Sequence, residues 1–158
     1  MTADVTKYEG DFDGIKLNVF DTPDLADTTN RDDLYLQNIR EMSKPTDILL
    51  YVRPLYETRL LQDDENAIRR VTATFGLSIW GQTVIVLTFA DMYQDKHILE
   101  HKGNARAKET RTAIAGAISD FVAKDPNRSA AENLPNPEDI PVVVFPTRNL
   151  WTRPGAAI

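Results

Sequence analysis

Not one of the 158 residues is a cysteine. That excludes disulfides, thiolate nucleophiles and cysteine-ligated zinc, and it suits a reducing compartment. Nor does any apolar run approach the roughly 18 residues that a membrane span requires. The opening stretch "MTADVTKYEGDFDG" has none of the apolar core of a signal peptide. Basic charge is in deficit, with 18 Lys and Arg against 24 Asp and Glu and a net charge of −6. With no basic cluster to offset this, nucleic acid is not an expected partner. A Gly-Lys pair is also missing, and with it the loop G-x-x-x-x-G-K-S/T whose backbone amides and lysine cradle a phosphate. The expectation is a cytoplasmic chain with no membrane span of its own.

What is present reads as one α/β domain. Hydrophobic residues make up 42% and charged residues 27%, a globular balance. Residues 5–20 form a predicted hairpin, with Asp13-Gly14 as the turn and Ile15, Leu17 and Val19 alternating with Lys16 and Asn18. In "NRDDLYLQNIREM", Leu36, Ile39 and Met42 share a helical face, and Asn30 is placed to cap it. Three later runs, "DILLYV", "TVIVLTF" and "PVVVF", are continuously apolar. Such runs are expected as parallel strands buried on both faces. Between them the periodicity predicts helices over about 63–75, stopped by Gly76, and about 104–124, with Ile114, Ile118, Phe121 and Val122 on one face.

Open sheets of this kind bind ligands beyond their carboxyl ends. Residues 21–24, 53–59, 88–91 and 146–149 therefore matter most. By their own chemistry they are open to plain readings. "DTPDL" is a strand end closed by an Asp-Thr-Pro turn. Phe89 is the last buried residue of its strand, Asp91 a helix cap, and Arg59 a solvated or ion-paired side chain. One further motif, "HILEH", places His97 and His101 one helical turn apart with Glu100 between them, the H-x-x-E-H pattern of certain zinc peptidases. A catalytic zinc needs a third protein ligand; Glu109 follows very closely, Glu132 and Glu138 lie in a Pro-rich loop, and the turn is short, ending at Gly103.

Taken in order, "VTKYEG", "DGIKLNVFDTPDL", "DILLYV", "FGLSIWGQTVIVLTFAD" and "IPVVVFPTRN" resemble the G domain of the immunity-associated (GIMAP/IAN-type) GTPases. They equally resemble the related chloroplast outer-envelope import-receptor GTPases. The resemblance implies a three-layer, Ras-like member of the P-loop NTPase-like folds with a mostly parallel sheet, binding GTP or GDP with Mg2+. In that family Thr6 would belong to switch I and contact the magnesium and γ-phosphate. Asp21 would open switch II and hold a magnesium-bound water. Thr22 follows it, and Asp24 stands where relatives carry a glycine whose N–H meets the γ-phosphate. Thr88 and Phe89 fall in the base-specificity segment, with Phe89 flanking the base and Asp91 accepting from guanine N1 and N2. Thr147 and Arg148 match the segment that closes over the base. Arg59 matches an arginine presented across a nucleotide-bridged homodimer.

The same resemblance marks the chain as a single incomplete G domain over residues 1–158, running from switch I onward. It lacks the first strand, the phosphate loop and the last helix of the resembled fold. A missing central strand is expected to leave two unpaired edges and a slot in the sheet. Two functions follow as expectations. One is a GTP-binding protein of this type, a GTPase by resemblance and a fragment as given, with hydrolysis not expected of this chain alone. The other is a nucleotide-free pseudo-GTPase acting as an interaction or dimerisation module.

Overall fold

The computed structural model describes residues 6–22, 39–41, 46–124 and 134–146. The first element is a hairpin of β1 (Thr6–Phe12) and β2 (Ile15–Asp21), antiparallel, with Phe12 opposite Ile15. Asp13 and Gly14 turn it with φ of 52° and 80°. Two successive positive φ values define the tight turn whose twist matches paired strands, and Asp and Gly tolerate them best. The Asp11 carboxylate accepts from the Gly14 N–H at 3.1 Å and fixes the turn.

The second sheet has three parallel strands in the order β3 (Leu49–Pro54), β4 (Thr83–Thr88), β5 (Val142–Val144). Helix α1 (Gln62–Phe75) links β3 to β4, and α2 (Lys96–Lys124) lies between β4 and β5. Asp64 reaches back to accept from the Leu61 N–H at 2.8 Å, and three acidic residues crowd the first turn of α1, where the helix dipole favours them. Gly76 ends α1 at φ 87°. Among the described residues β2 and β3 do not pair, and the hairpin and the parallel sheet are separate sheets.

Leu55, Ile68, Leu77, Trp80, Ile85, Leu87 and Ile114 are fully buried and form the centre of the core. They come from the residue just after β3 (Leu55), from β4, from both helices and from the short 3-10 segment Leu77–Gln82. Trp80 is tied in twice: its Nε1–H donates to Thr72 Oγ1 at 3.0 Å, and that hydroxyl donates to the Ile68 carbonyl at 2.8 Å.

The strands are not buried on both faces, which corrects the reading of their unbroken apolar runs. Ile85 and Leu87 face the helices, while Leu50, Val52 and Val143 on the opposite face are 55%, 57% and 44% exposed. Among the described residues, α1 and α2 both pack on one side, so an unbroken run is covered on alternate residues only. Helix α2 also begins eight residues before its predicted start. Gly103, read as the end of a short turn, lies buried inside it. Asp95 caps this start, accepting from the N–H groups of His97 and Ile98 at 2.8 and 3.3 Å.

Tyr51 lies on the helix-facing side of β3, partly buried against the core. Burial foremost, then the nearby Asp64 carboxylate, raises its phenol well above the ordinary value of 10.0. The neutral phenol is thus favoured by folding. Its contribution is complete below pH 10 and is lost as pH climbs from there toward the folded value, at up to about 1.4 kcal/mol per pH unit for one group. Tyr51→Phe should flatten the fall of the melting temperature between about pH 10 and 12. An unchanged slope would mean that the phenol is solvated.

Candidate functional site

Three parallel strands end together. Pro54 of β3 lies opposite Thr88 of β4, and Leu87 of β4 opposite Val144 of β5. The backbone continues the ladder past the strand ends, with Leu55 N–H to the Thr88 carbonyl at 3.0 Å, Phe145 N–H to Leu87 at 2.7 Å and Ala90 N–H to Phe145 at 3.2 Å. Thr88 Oγ1 adds a 3.4 Å bond to the Arg53 carbonyl. These bonds anchor the start of each connecting segment while the residues beyond project from the sheet edge.

Phe89 turns out of β4 in the left-handed conformation, φ 61° and ψ 32°. An L-residue with a large side chain pays about 1–2 kcal/mol for this. The bonds made by Thr88 and Ala90 on either side hold it there. The result is an aromatic ring 38% exposed at the sheet's edge, not the last buried residue of a strand. Tyr56, in the loop after β3, sets its ring edge-on to Phe89, with centroids 5.3 Å apart and planes at 61°. Asp91 sits in the one-turn 3-10 segment Ala90–Met92, half-buried. The cap of the next helix is Asp95, so the plain reading of Asp91 as a cap does not hold.

Arg59 lies in the same β3–α1 loop as Tyr56. Its side chain is exposed, while its carbonyl accepts from Arg53 Nη2 at 3.2 Å. The structure therefore brings Thr88, Phe89, Asp91 and Arg59 onto connected loops at one end of the sheet.

Thr6 and Asp21 meet elsewhere. They are direct cross-strand partners at the open end of the hairpin, both exposed, with Thr22 next in sequence. Residues directly opposite in an antiparallel pair hold their Cβ atoms about 4.5–5.5 Å apart. A hydroxyl and a carboxylate so placed are hard oxygen donors of the kind Mg2+ takes, with water completing its octahedron. Asp24, Thr147 and Arg148 lie outside the described residues.

His97 and His101 are both exposed on α2, beside a shallow recess lined by Ile98, Lys102, Ala105 and Arg106. Among the described residues no three His, Cys, Asp or Glu side chains are grouped to hold a metal ion. The H-x-x-E-H pattern thus gains no third ligand there.

Two residues were not singled out from the sequence. Tyr56 carried a weak signal as an aromatic in a polar loop. Arg53 carried a better one, a cation closing an apolar strand.

The family model for the AIG1 family matches residues 1–121. Translocase of chloroplast 34 from Pisum sativum is 34% identical over 79 residues, covering 49% of this chain and 26% of that protein. Translocase of chloroplast 120 from Arabidopsis thaliana is 34% identical over 158 residues, covering 85% of this chain and 14% of that protein. Among solved structures, Toc33 from Arabidopsis thaliana in complex with GDP and Mg2+ superposes with a TM-score of 0.68 at 24% identity. That superposition covers 90% of this chain and 56% of Toc33. The chain thus spans about half of that Toc33 structure and 26% and 14% of these two relatives. The likeness establishes a Ras-like α/β fold.

Proposed function

The chain belongs to the AIG1 family, and from that premise we propose that it binds a guanine nucleotide with Mg2+ at the carboxyl end of its parallel sheet. The observation that carries the reading is the loop arrangement at that end. Phe89 is held in a left-handed turn with its ring exposed, and Asp91 follows two residues later. An aromatic face stacks a base, and a carboxylate accepts from guanine N1 and N2, where adenine offers no matching pair of donors. Thr6 and Asp21, paired at the open end of the hairpin, are the residues that would supply hard oxygens to the magnesium, which when bound would screen the phosphate charge. By the family resemblance Thr22 belongs to the switch II segment and Thr88 to the base-specificity segment, and Thr147 and Arg148 to the segment that closes over the base. The exposed Arg59 reaches the nucleotide of a second copy, giving a homodimer across the nucleotide face. Solved Toc33 structures include complexes with GDP or GMPPNP and a dimerization-deficient mutant, which supports this assembly by kinship. No helix among the described residues is long and apolar enough to cross a membrane, and the proposed setting is the cytoplasm.

Asp24 decides which nucleotide is favoured. Two unit charges 4 Å apart repel by about 4 kcal/mol at an effective dielectric of 20, more than one charge-assisted hydrogen bond returns. GDP should therefore bind more tightly than GTP. Calorimetric titration of the 158-residue chain tests the reading. GDP is expected to bind in a Mg2+-dependent manner and ADP at least about a hundredfold more weakly. A chain that binds neither would instead support the second reading, a nucleotide-free interaction module. That reading is favoured by Asp24 and by the absence of any Gly-Lys pair from these residues.

A further inference from the structure

Arg53 is only 3% exposed, although it sits one residue from the end of β3. A buried cation is costly unless its hydrogens find partners. Here the partners belong to two different elements. On α2, Nη1 bonds Thr110 Oγ1 at 3.3 Å and faces Glu109 Oε2 at 3.6 Å. On the β3–α1 loop, Nη2 bonds the Arg59 carbonyl at 3.2 Å and faces Glu57 Oε2 at 3.6 Å. Arg106 shares the Glu109 carboxylate, so two cations and two carboxylates balance. The planar guanidinium is thus a bracket between a rigid helix and the one loop that carries Arg59. A lysine, with a point charge and no fork, cannot span both sides.

The Arg59 side chain has no hydrogen-bond or ion-pair partner among the described residues, and its carbonyl is what Arg53 holds. We propose that Arg53 is a positioning residue: its bracket to Thr110 and Glu109 fixes the backbone of Arg59 so that the exposed guanidinium is aimed at the nucleotide of a second copy. The inference rests on the reading that Arg59 acts across such a dimer.

The test is GDP- and Mg2+-dependent dimerisation of the full chain by sedimentation velocity, alongside the affinity of the dilute monomer for fluorescent GDP. Arg59→Ala is expected to raise the dimer dissociation constant at least tenfold. Arg53→Met should match it while leaving monomer affinity for GDP within about twofold, and Arg53→Lys, which keeps the charge but not the fork, should weaken the dimer nearly as much. A role confined to stability would lower the melting temperature of Arg53→Met without weakening the dimer at temperatures where the variant stays folded, and would overturn the proposal. If Arg59→Ala weakens the dimer but Arg53→Met does not, the positioning role falls and the Arg59 reading stands. If wild type shows no nucleotide-dependent dimer, or Arg59→Ala leaves it unchanged, the Arg59 reading falls and takes this inference with it. Should Arg53→Met fail to fold, Thr110→Val combined with Glu109→Met removes both α2 partners of the guanidinium with little change of volume. A weaker dimer then supports the proposal, and an unchanged one overturns it.

Discussion

Asp91→Ala should lower affinity for GDP by about a hundredfold or more and leave binding of ADP unchanged, so that discrimination between the two purines collapses. A carboxylate accepting from both N1–H and the 2-amino group makes two charge-assisted hydrogen bonds, each about 1.5–3 kcal/mol. Their sum of about 3–6 kcal/mol exceeds what Phe89 gains by stacking, about 1–3 kcal/mol per base, and stacking is indifferent to which purine is present. Specificity therefore rests on Asp91 and general affinity is shared with Phe89. Phe89→Ala makes the complementary case, weakening GDP and other purine nucleotides alike. Competition of GDP and ADP against a fluorescent guanine nucleotide reads both. A guanine preference that survives in Asp91→Ala would remove Asp91 from the base site altogether.

Trp80→Ala should lower the free energy of unfolding by about 3–5 kcal/mol, the range for deleting a large aromatic side chain from a packed core. Trp80 is fully buried among Ile68, Leu77, Ile85 and Leu87. Its loss leaves no orphaned polar group, because Thr72 Oγ1 still donates to the Ile68 carbonyl. The penalty is thus almost wholly lost transfer energy and the cavity. Against a typical domain stability of 5–15 kcal/mol, that is enough to unfold a marginal protein. Trp80→Phe keeps most of the packing and should cost roughly 1–2 kcal/mol. Urea unfolding measures both, and a change below about 1 kcal/mol for the alanine variant would place Trp80 outside the core.

The hairpin and both helices were legible in the sequence because their signals are local. Asp13-Gly14 demands positive φ wherever it occurs, and Gly76 stops α1 by the same token. The cross-strand meeting of Thr6 and Asp21 follows once that turn fixes the register. Burial was not legible. An unbroken run such as "DILLYV" describes a strand that tolerates cover on both sides, and cannot say whether a second helical layer is there. Phe89 and Asp91 could be placed after the strand but not oriented, since the left-handed turn depends on Ala90 meeting the Phe145 carbonyl more than fifty residues away. Arg53 was the least legible. Its role lies in a bond to Thr110, 57 residues on, and in a bond to a backbone carbonyl, to which every residue type contributes alike.

The uncovered side of β3 has a consequence for handling the protein. Among the described residues β3 pairs with β4 alone, leaving its other edge a row of free N–H and C=O groups, flanked by exposed Leu50 and Val52. No charge interrupts the edge before Arg53, which is itself buried, and no proline before Pro54. An apolar, uncharged edge is a template for the strands of other molecules, and it seeds aggregation unless something covers it. A lysine at position 50 or 52 acts as a gatekeeper on this exposed face without entering the packed core or the nucleotide loops.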